Sequence, residues 1–260
     1  MSKIISLNGA QNVVNQQLKQ NTAKLLFEFT TAPDAGNLTK SGSEIFTEIM
    51  TALEDVNVKV DLQKKDGQGS FSLIPEKMNL AEVAEAYSNS VHDGRFEADT
   101  KANGAIRALF TVEIGLDGSL SMTDQDTLIV NVEGMSANQT LNVFAMDFPV
   151  ITQTAIKSTA IRFDQDTEQG VTLTGAYVLA IPKADFQKIQ IFYPNGKVWE
   201  LNSTEMESVI KEGNGVQAII DGIAFTGGYK FYLMNVADAV SAKLTMSNDT
   251  NCYLLSPVVK

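Results

Sequence analysis

One ordered set of features is written twice in this chain. "KIQIFYPNGKVWELNSTEM" (Lys188–Met206) repeats the plan of "VKVDLQKKDGQGSFSLIPEKM" (Val58–Met78): an alternating apolar run, a glycine turn, an aromatic strand, then a helix start. The separation is 131 residues at Val58 and Ile189 and 128 at Met78 and Met206, so three extra residues in the earlier turn explain the drift. Two further pairings fall in the same order. "SLSMTDQDTLIV" (Ser119–Val130) matches "KLTMSNDTNCYLL" (Lys243–Leu255), and Phe27-Glu28-Phe29 with Gly36 matches Ile161-Arg162-Phe163 with Gly170. A pattern written twice specifies the same supersecondary unit twice, so the chain is constrained to two similar units of roughly 110 to 125 residues joined near Phe148-Pro149.

The local signal within each copy is period two. Leu25/Phe27/Phe29, Val56/Val58/Val60/Leu62, Phe110/Val112/Ile114, Leu128/Val130/Val132, Tyr177/Leu179/Ile181, Ile189/Ile191/Tyr193 and Tyr229/Phe231/Leu233 alternate with polar residues. Such alternation places one face of an antiparallel strand in a core. Turn clusters separate the runs: Lys65-Asp66-Gly67, Asp117-Gly118, Pro194-Asn195-Gly196 and Gly227-Gly228.

Three segments change to helical spacing. Ile45, Phe46, Ile49, Met50 and Leu53 follow a capping box at Ser41 and Glu44. Leu80, Val83, Ala84 and Tyr87 follow Asn79 with Glu82 three residues on. Met206, Val209 and Ile210 follow Asn202 or Ser203 and end at Gly213. The expected architecture is all-β: two tandem jelly rolls, a double β-sandwich, with short flanking helices. The expected divisions are an N-terminal arm over 1–21, a first roll over 22–148 and a second over 149–260.

Charge narrows the partners. With 31 acids against 20 bases the net charge is −11, which opposes direct binding along a phosphate backbone. The first 27 residues hold Lys3, Lys19 and Lys24 and no acid, so this polar, mildly basic arm is a candidate for contact with a neighbouring subunit or an anionic membrane surface. An ordinary solvated terminus accounts for the same composition. No run approaches the ~20 apolar residues of a membrane helix, and the start of the chain lacks the apolar core of a secretory signal.

Catalytic constellations are sparse. The one histidine, His92, lies in the turn-like stretch Val91-His92-Asp93-Gly94-Arg95, and no nucleophile elbow accompanies it. The one cysteine, Cys252, stands in an apolar run where a buried thiol is the default, and it excludes an internal disulfide. Asp164, Asp166 and Glu168, or Asp124 and Asp126, could ligate calcium, but the distal glutamate of an EF-hand is missing. Trp199, Tyr193 and Phe192 would form a sugar-stacking platform if they faced outward; the match of Trp199 to Phe71 instead places both as core positions. No cofactor fingerprint is present. The chain therefore reads as non-enzymatic, with a carbohydrate-binding or glycan-processing double β-sandwich as the alternative.

At these residues, "IQIFYPNGKVWELNSTEMESVIKEG" followed by "YKFYLMNVADAVSAKLTMSNDTNCYLLSPVV", the chain resembles the double jelly-roll major capsid proteins of tailless, icosahedral bacteriophages with an internal membrane, of corticovirus-like or tectivirus and adenovirus lineage. The resemblance covers roughly residues 22 to 260 and rests on the order of features, without an invariant motif. It implies a homotrimer with pseudo-hexagonal outline, contacts with neighbouring capsomers and minor capsid proteins, and a place in the virion after synthesis in a host cytoplasm. It further implies that the arm carrying Lys3, Lys19 and Lys24 reaches the viral membrane or a neighbour. A minor capsid or spike protein would share the pattern. Two departures stand out: the helix over 44–53 has no counterpart in the second copy, and the chain is short, with little room for loop towers.

Overall fold

A computed structural model of the chain describes residues 1–64, 70–75, 78–88, 96–211, 216–227 and 230–260. In chain order the elements begin with strands β1 (Ser2–Asn8), β2 (Val13–Leu18) and β3 (Lys24–Thr30), then a 3-10 turn (Ala35–Thr39) and helix α1 (Gly42–Glu54). Strands β4 (Asn57–Lys64) and β5 (Phe71–Ile74) lead to helix α2 (Leu80–Ser88). Next come β6 (Phe96–Thr100), β7 (Ile106–Glu113), β8 (Ser119–Leu120), β9 (Asp126–Glu133) and β10 (Thr140–Met146). After β11 (Ile151–Thr152) follow β12 (Thr154–Phe163), β13 (Gln169–Thr172), β14 (Val178–Pro182), β15 (Phe186–Phe192), β16 (Val198–Asn202) and helix α3 (Ser203–Lys211). The chain ends with β17 (Val216–Ile220), β18 (Ile223–Gly227), β19 (Phe231–Asn235), β20 (Ser241–Met246) and β21 (Thr250–Val259).

The sheets state the duplication in topology. The first unit pairs β1-β10-β3-β7 in one sheet and β2-β9-β4-β5 in the other, while the second pairs β12-β21-β14-β19 and β13-β20-β15-β16. With the eight principal strands of each unit counted in sequence, both units have the orders first-eighth-third-sixth and second-seventh-fourth-fifth. That is a jelly roll made twice. The strands of the first roll run from Ser2 to Met146 and those of the second from Thr154 to Val259.

The alternation works as expected within each strand. In β3, Leu25, Phe27 and Phe29 are buried while Leu26, Glu28 and Thr30 face outward, and Phe27 stacks on Phe110 with ring centroids 5.2 Å apart. The helices start where their caps predict. Glu44 accepts the Ser41 N–H at 2.7 Å before α1, Asn79 and Glu82 exchange bonds of 2.9 and 3.1 Å before α2, and Asn202 and Glu205 exchange bonds of 3.0 and 2.9 Å before α3. Helices α2 and α3 thus occupy the same place after the fifth strand, with the same Asn–Glu box. The Lys65-Asp66-Gly67 turn, His92 and Gly213 lie outside the described residues, as does Gly228 of the Gly227-Gly228 turn.

Three expectations need correction. Residues 1–21 hold β1 and β2, the first and second strands of the first roll, where Ile5, Leu7 and Leu18 are buried. Polar residues on the solvent face of these strands gave the segment the composition of an arm. Phe27 and Phe163 are not equivalent, because β3 is a third strand and β12 a first strand. Likewise the run at Asp126 opens the seventh strand of its roll, whereas the run at Thr250 opens the eighth. Of the quoted matches, the hairpin-to-helix match is the one that falls on equivalent elements, β4-β5-α2 and β15-β16-α3.

Candidate functional site

The two rolls are held by a polar and apolar seam built mainly from connections between the fifth and sixth strands. On the first roll, α2 carries Glu85, whose side chain is buried at 1 % exposure. Its carboxylate accepts the backbone N–H of Lys230 at 2.7 Å and of Phe231 at 3.1 Å, at the start of β19 in the second roll. A buried carboxylate without donors would be costly, so these bonds fix where β19 begins. One turn earlier, Glu82 accepts from the Tyr253 hydroxyl at 3.3 Å. Burial pushes the Glu82 carboxyl above its ordinary value, against the opposing pull of the Asn79 N–H and the Lys230 charge. Lys230 itself pairs with Glu54 of α1 at 3.0 Å.

A second fastening is a strand exchange. The β17-β18 hairpin leaves the second roll and joins the edge of the first roll's sheet, β17 pairing in parallel with β6. Its turn, Asp221-Gly222, has φ of +49° and +79°, the left-handed pair that a two-residue hairpin needs. The Asp221 carboxylate also accepts the Thr100 N–H at 2.6 Å and the Thr100 hydroxyl at 3.1 Å, ending β6 there. Ile220 and Ala218 enter the first roll's core.

A third fastening lies at the opposite end of the sequence. Lys260 extends into the first roll, pairs with Asp126 and donates to the Ser121 carbonyl oxygen. Both charged side chains are only 6 % exposed. Burial raises the Asp126 carboxyl, but hydrogen bonds from Lys260 and Thr123 outweigh it and hold the group below its ordinary value. Asp126 is therefore committed to an ion pair.

The other carboxylates considered for calcium are also committed or apart. Glu168 pairs with Lys243 at 2.9 Å, Asp166 accepts from Gln187 at 3.0 Å, and Asp164 lies 3.8 Å from Arg162. Among the described residues no group of three or more His, Cys, Asp or Glu is placed to hold a metal ion. Cys252 is buried, and burial with the Asp185 charge pushes its thiol up to about 12, far from thiolate at neutral pH. Below the seam opens a cleft of about 840 Å³ lined by Glu82, Asp185, Glu207, Lys230, Tyr232 and Tyr253 among others. Its floor is tied up: Tyr232 donates to Glu207 at 2.7 Å, and the Lys183 ammonium sits 5.3 Å from the Tyr232 ring centre.

Of the lysines singled out in the sequence, Lys3 is exposed and stands 5.6 Å from the Phe144 ring centre, while Lys24 stands 5.9 Å from that of Phe148. Lys19 is exposed just after β2. Strands β1 and β3 place Lys3 and Lys24 on the first roll's sheet, with Lys19 following β2 of the other sheet. Trp199 is not a core residue: it is 39 % exposed, and Val198 beside it is 53 % exposed. The reason is its strand, since β16 is the edge of its sheet and buries only Leu201. Phe71 is partly buried and packs against the first core. The fastenings Glu85, Asp221 and Lys260 were missed by sequence reading, because each acts on a partner more than 120 residues away.

Fold and seam define a double jelly roll whose two rolls are fastened to each other by α2, the β17-β18 hairpin and Lys260. The same fold is found in the major capsid protein P2 of bacteriophage PM2, whose crystal structure superimposes with a TM-score of 0.54 at 9% sequence identity, over 99% of this chain and 94% of that one. The PBSX exported protein XepA (TM-score 0.22, 9% identity, 99% of this chain and 86% of that one) and the mavirus major capsid protein (0.24, 9%, 98% and 86%) score too low to carry an argument. No family model and no curated protein matches the sequence.

Proposed function

We propose that the chain is a major capsid subunit that assembles as pseudo-hexagonal trimers and tiles an icosahedral shell around an internal lipid membrane. The observation that carries this reading is the repeated strand order, which turns one chain into two nearly equivalent building blocks, together with end-to-end likeness to a phage major capsid protein. Three such chains supply six similar rolls, the number that fills a hexagonal lattice position. A seam fastened at three places suits this use, because a shell transmits load through the joint between rolls. The acidic net charge of −11 fits a shell that does not contact its genome directly.

In this reading Lys3, Lys19 and Lys24 are contacts to a neighbour or to anionic lipid, made from the folded first roll. The test is the mass of the purified protein by light scattering, followed by electron microscopy of what assembles. Trimers or closed particles are expected. A monomer that persists at high concentration sinks the reading and returns the double β-sandwich to the glycan-binding alternative, for which the exposed Trp199 is a favourable feature. Reversing Lys3 and Lys19 to glutamate tests the contact, with lower particle yield or lipid content as the expected result.

A further inference from the structure

The cleft beneath the seam is walled at one end of the second roll. Lys183 and Asp185 come from the β14-β15 turn, Thr250 and Asn251 from the start of β21, Glu207 from α3, and Glu82 from α2 of the first roll. Its volume of about 840 Å³ lies within the range of small-molecule sites, roughly 300 to 1,000 Å³, and junctions between packed units are where such sites gather. Phe231, Tyr232 and Tyr253 reach the cleft but are each 3 % exposed, so no aromatic ring lies open in it.

The hydrogen-bonding atoms that the wall leaves unused define what fits. Glu82 accepts the Asn79 N–H and the Tyr253 hydroxyl through the same oxygen, Oε2, and makes no bond through Oε1. Asp185 accepts the Asn248 side chain through Oδ1 at 2.9 Å, and Glu207 accepts the Tyr232 hydroxyl through Oε1 at 2.7 Å. The second oxygen of each is unpaired among the described residues. So are the Thr250 hydroxyl and the Asn251 side-chain amide, both of which can donate.

Spare acceptors and spare donors therefore share one cleft. An ammonium group only donates and a phosphate dianion only accepts, so either would satisfy part of the wall. A sugar hydroxyl does both. Charge agrees, since burial disfavours the ionised form of Glu82, which argues against a site for cations alone. Among the described residues no group of three His, Cys, Asp or Glu is placed to hold a metal ion.

We infer that this cleft binds a saccharide, whose hydroxyls donate to Asp185, Glu207 and Glu82 and accept from Thr250 and Asn251. Hydrogen bonds carry the recognition, because no ring is open for stacking. A sugar held in this way touches both rolls and stabilises the folded chain by mass action. The site is distinct from Trp199, which pairs with Ile191 near the end of β15 remote from the β14-β15 turn. The inference does not rest on the capsid reading, which is decided by assembled mass.

Saturation-transfer NMR and thermal melting of the purified chain test it, with lactose, maltose and chitobiose as probes. Transfer to at least one disaccharide, with a rise in melting temperature, is expected. Asp185→Ala and Glu207→Ala are each expected to weaken binding about tenfold, the scale of a lost hydrogen bond to a charged group, and Trp199→Ala to bind as wild type. If either alanine variant melts well below wild type without ligand, Asp185→Asn or Glu207→Gln replaces it. Spermidine and inorganic phosphate serve as the donor-only and acceptor-only controls. No transfer from any of the three sugars overturns the inference, as does binding that both cleft variants retain or that Trp199→Ala abolishes. A melting shift with spermidine or phosphate in place of the sugars, lost in the cleft variants, also overturns it. None of these outcomes alters the mass by which the capsid reading stands or falls.

Discussion

Glu85 and Phe231 stand 146 residues apart in sequence, in different rolls, yet the Glu85 carboxylate accepts the Phe231 N–H at 3.1 Å and, through its other oxygen, the Lys230 N–H at 2.7 Å. Removing this carboxylate leaves two donors at the seam with no acceptor. Glu85→Ala is expected to lower stability by about 3 kcal/mol in denaturant titration, the scale of a buried charged hydrogen bond. A loss under about 0.5 kcal/mol would mean that the seam does not depend on Glu85.

Two seam carboxylates are shifted in opposite directions, and their pH effects have opposite signs. Asp126 is held below its ordinary value of 3.8 by Lys260 and Thr123, which outweigh burial. Its contribution is therefore present above the unfolded value and is lost as pH falls through the lower folded value. Asp126→Asn is expected to melt lower than wild type at neutral pH and to flatten the acid limb of melting temperature against pH. An acid limb unchanged by the substitution would assign acid sensitivity to other groups.

Glu82 behaves the other way. Burial lifts it above 4.5, so the fold favours its protonated form, and stability from this site declines as pH rises from the unfolded value through the folded one. Glu82→Gln keeps an acceptor for the Asn79 N–H and removes the buried charge. It is expected to melt higher than wild type at neutral pH and equal to it below pH ~4. A lower melting point at neutral pH would show that the Glu82 charge stabilises the seam.

What the sequence made legible was local. The hairpin, edge strand and helix of β4-β5-α2 and β15-β16-α3 sit within some 30 residues each, and Asn79 with Glu82 and Asn202 with Glu205 state their helix starts in four residues. Strand identity was less legible, because Phe27-Glu28-Phe29 and Ile161-Arg162-Phe163 share an alternation that any strand of a sandwich can carry. Strands β1 and β2 escaped notice for a related reason. Among the described residues their fully buried side chains are Ile5, Leu7 and Leu18, and Gln16 and Gln17 dominate the composition of β2; the alternation of Ile5 and Leu7 was the available signal. The parallel pairing of Ala98 with Ile220 had no sequence signal, since nothing in either strand names a partner that far away.

Backbone contact leaves no room for a side chain at several glycines, Gly104 and Gly134 foremost. Gly134 has φ of +91°, and a Cβ there would overlap the Asp55 carbonyl oxygen. Gly134→Ala is expected to cost about 2 kcal/mol or more, through strain and displacement of the α1-β4 turn. Gly196, also at positive φ (+77°) but with open space around it, is the control: there alanine is expected to cost about 1 kcal/mol. Equal losses at the two sites would show that the turn around Asp55 yields freely.

Trp199 is the single tryptophan of the chain, so its fluorescence reports one place on the surface without labelling. At 39 % exposure on an edge strand it should emit as a partly hydrated indole in the dissociated protein. If β16 docks on another copy, the indole is dried on assembly, and emission is expected to shift to shorter wavelength with protein concentration, in step with the rise in mass. Quenching by iodide should fall in parallel. A wild-type protein that gains mass while Trp199 stays equally accessible to quencher would place the contact elsewhere on the double roll.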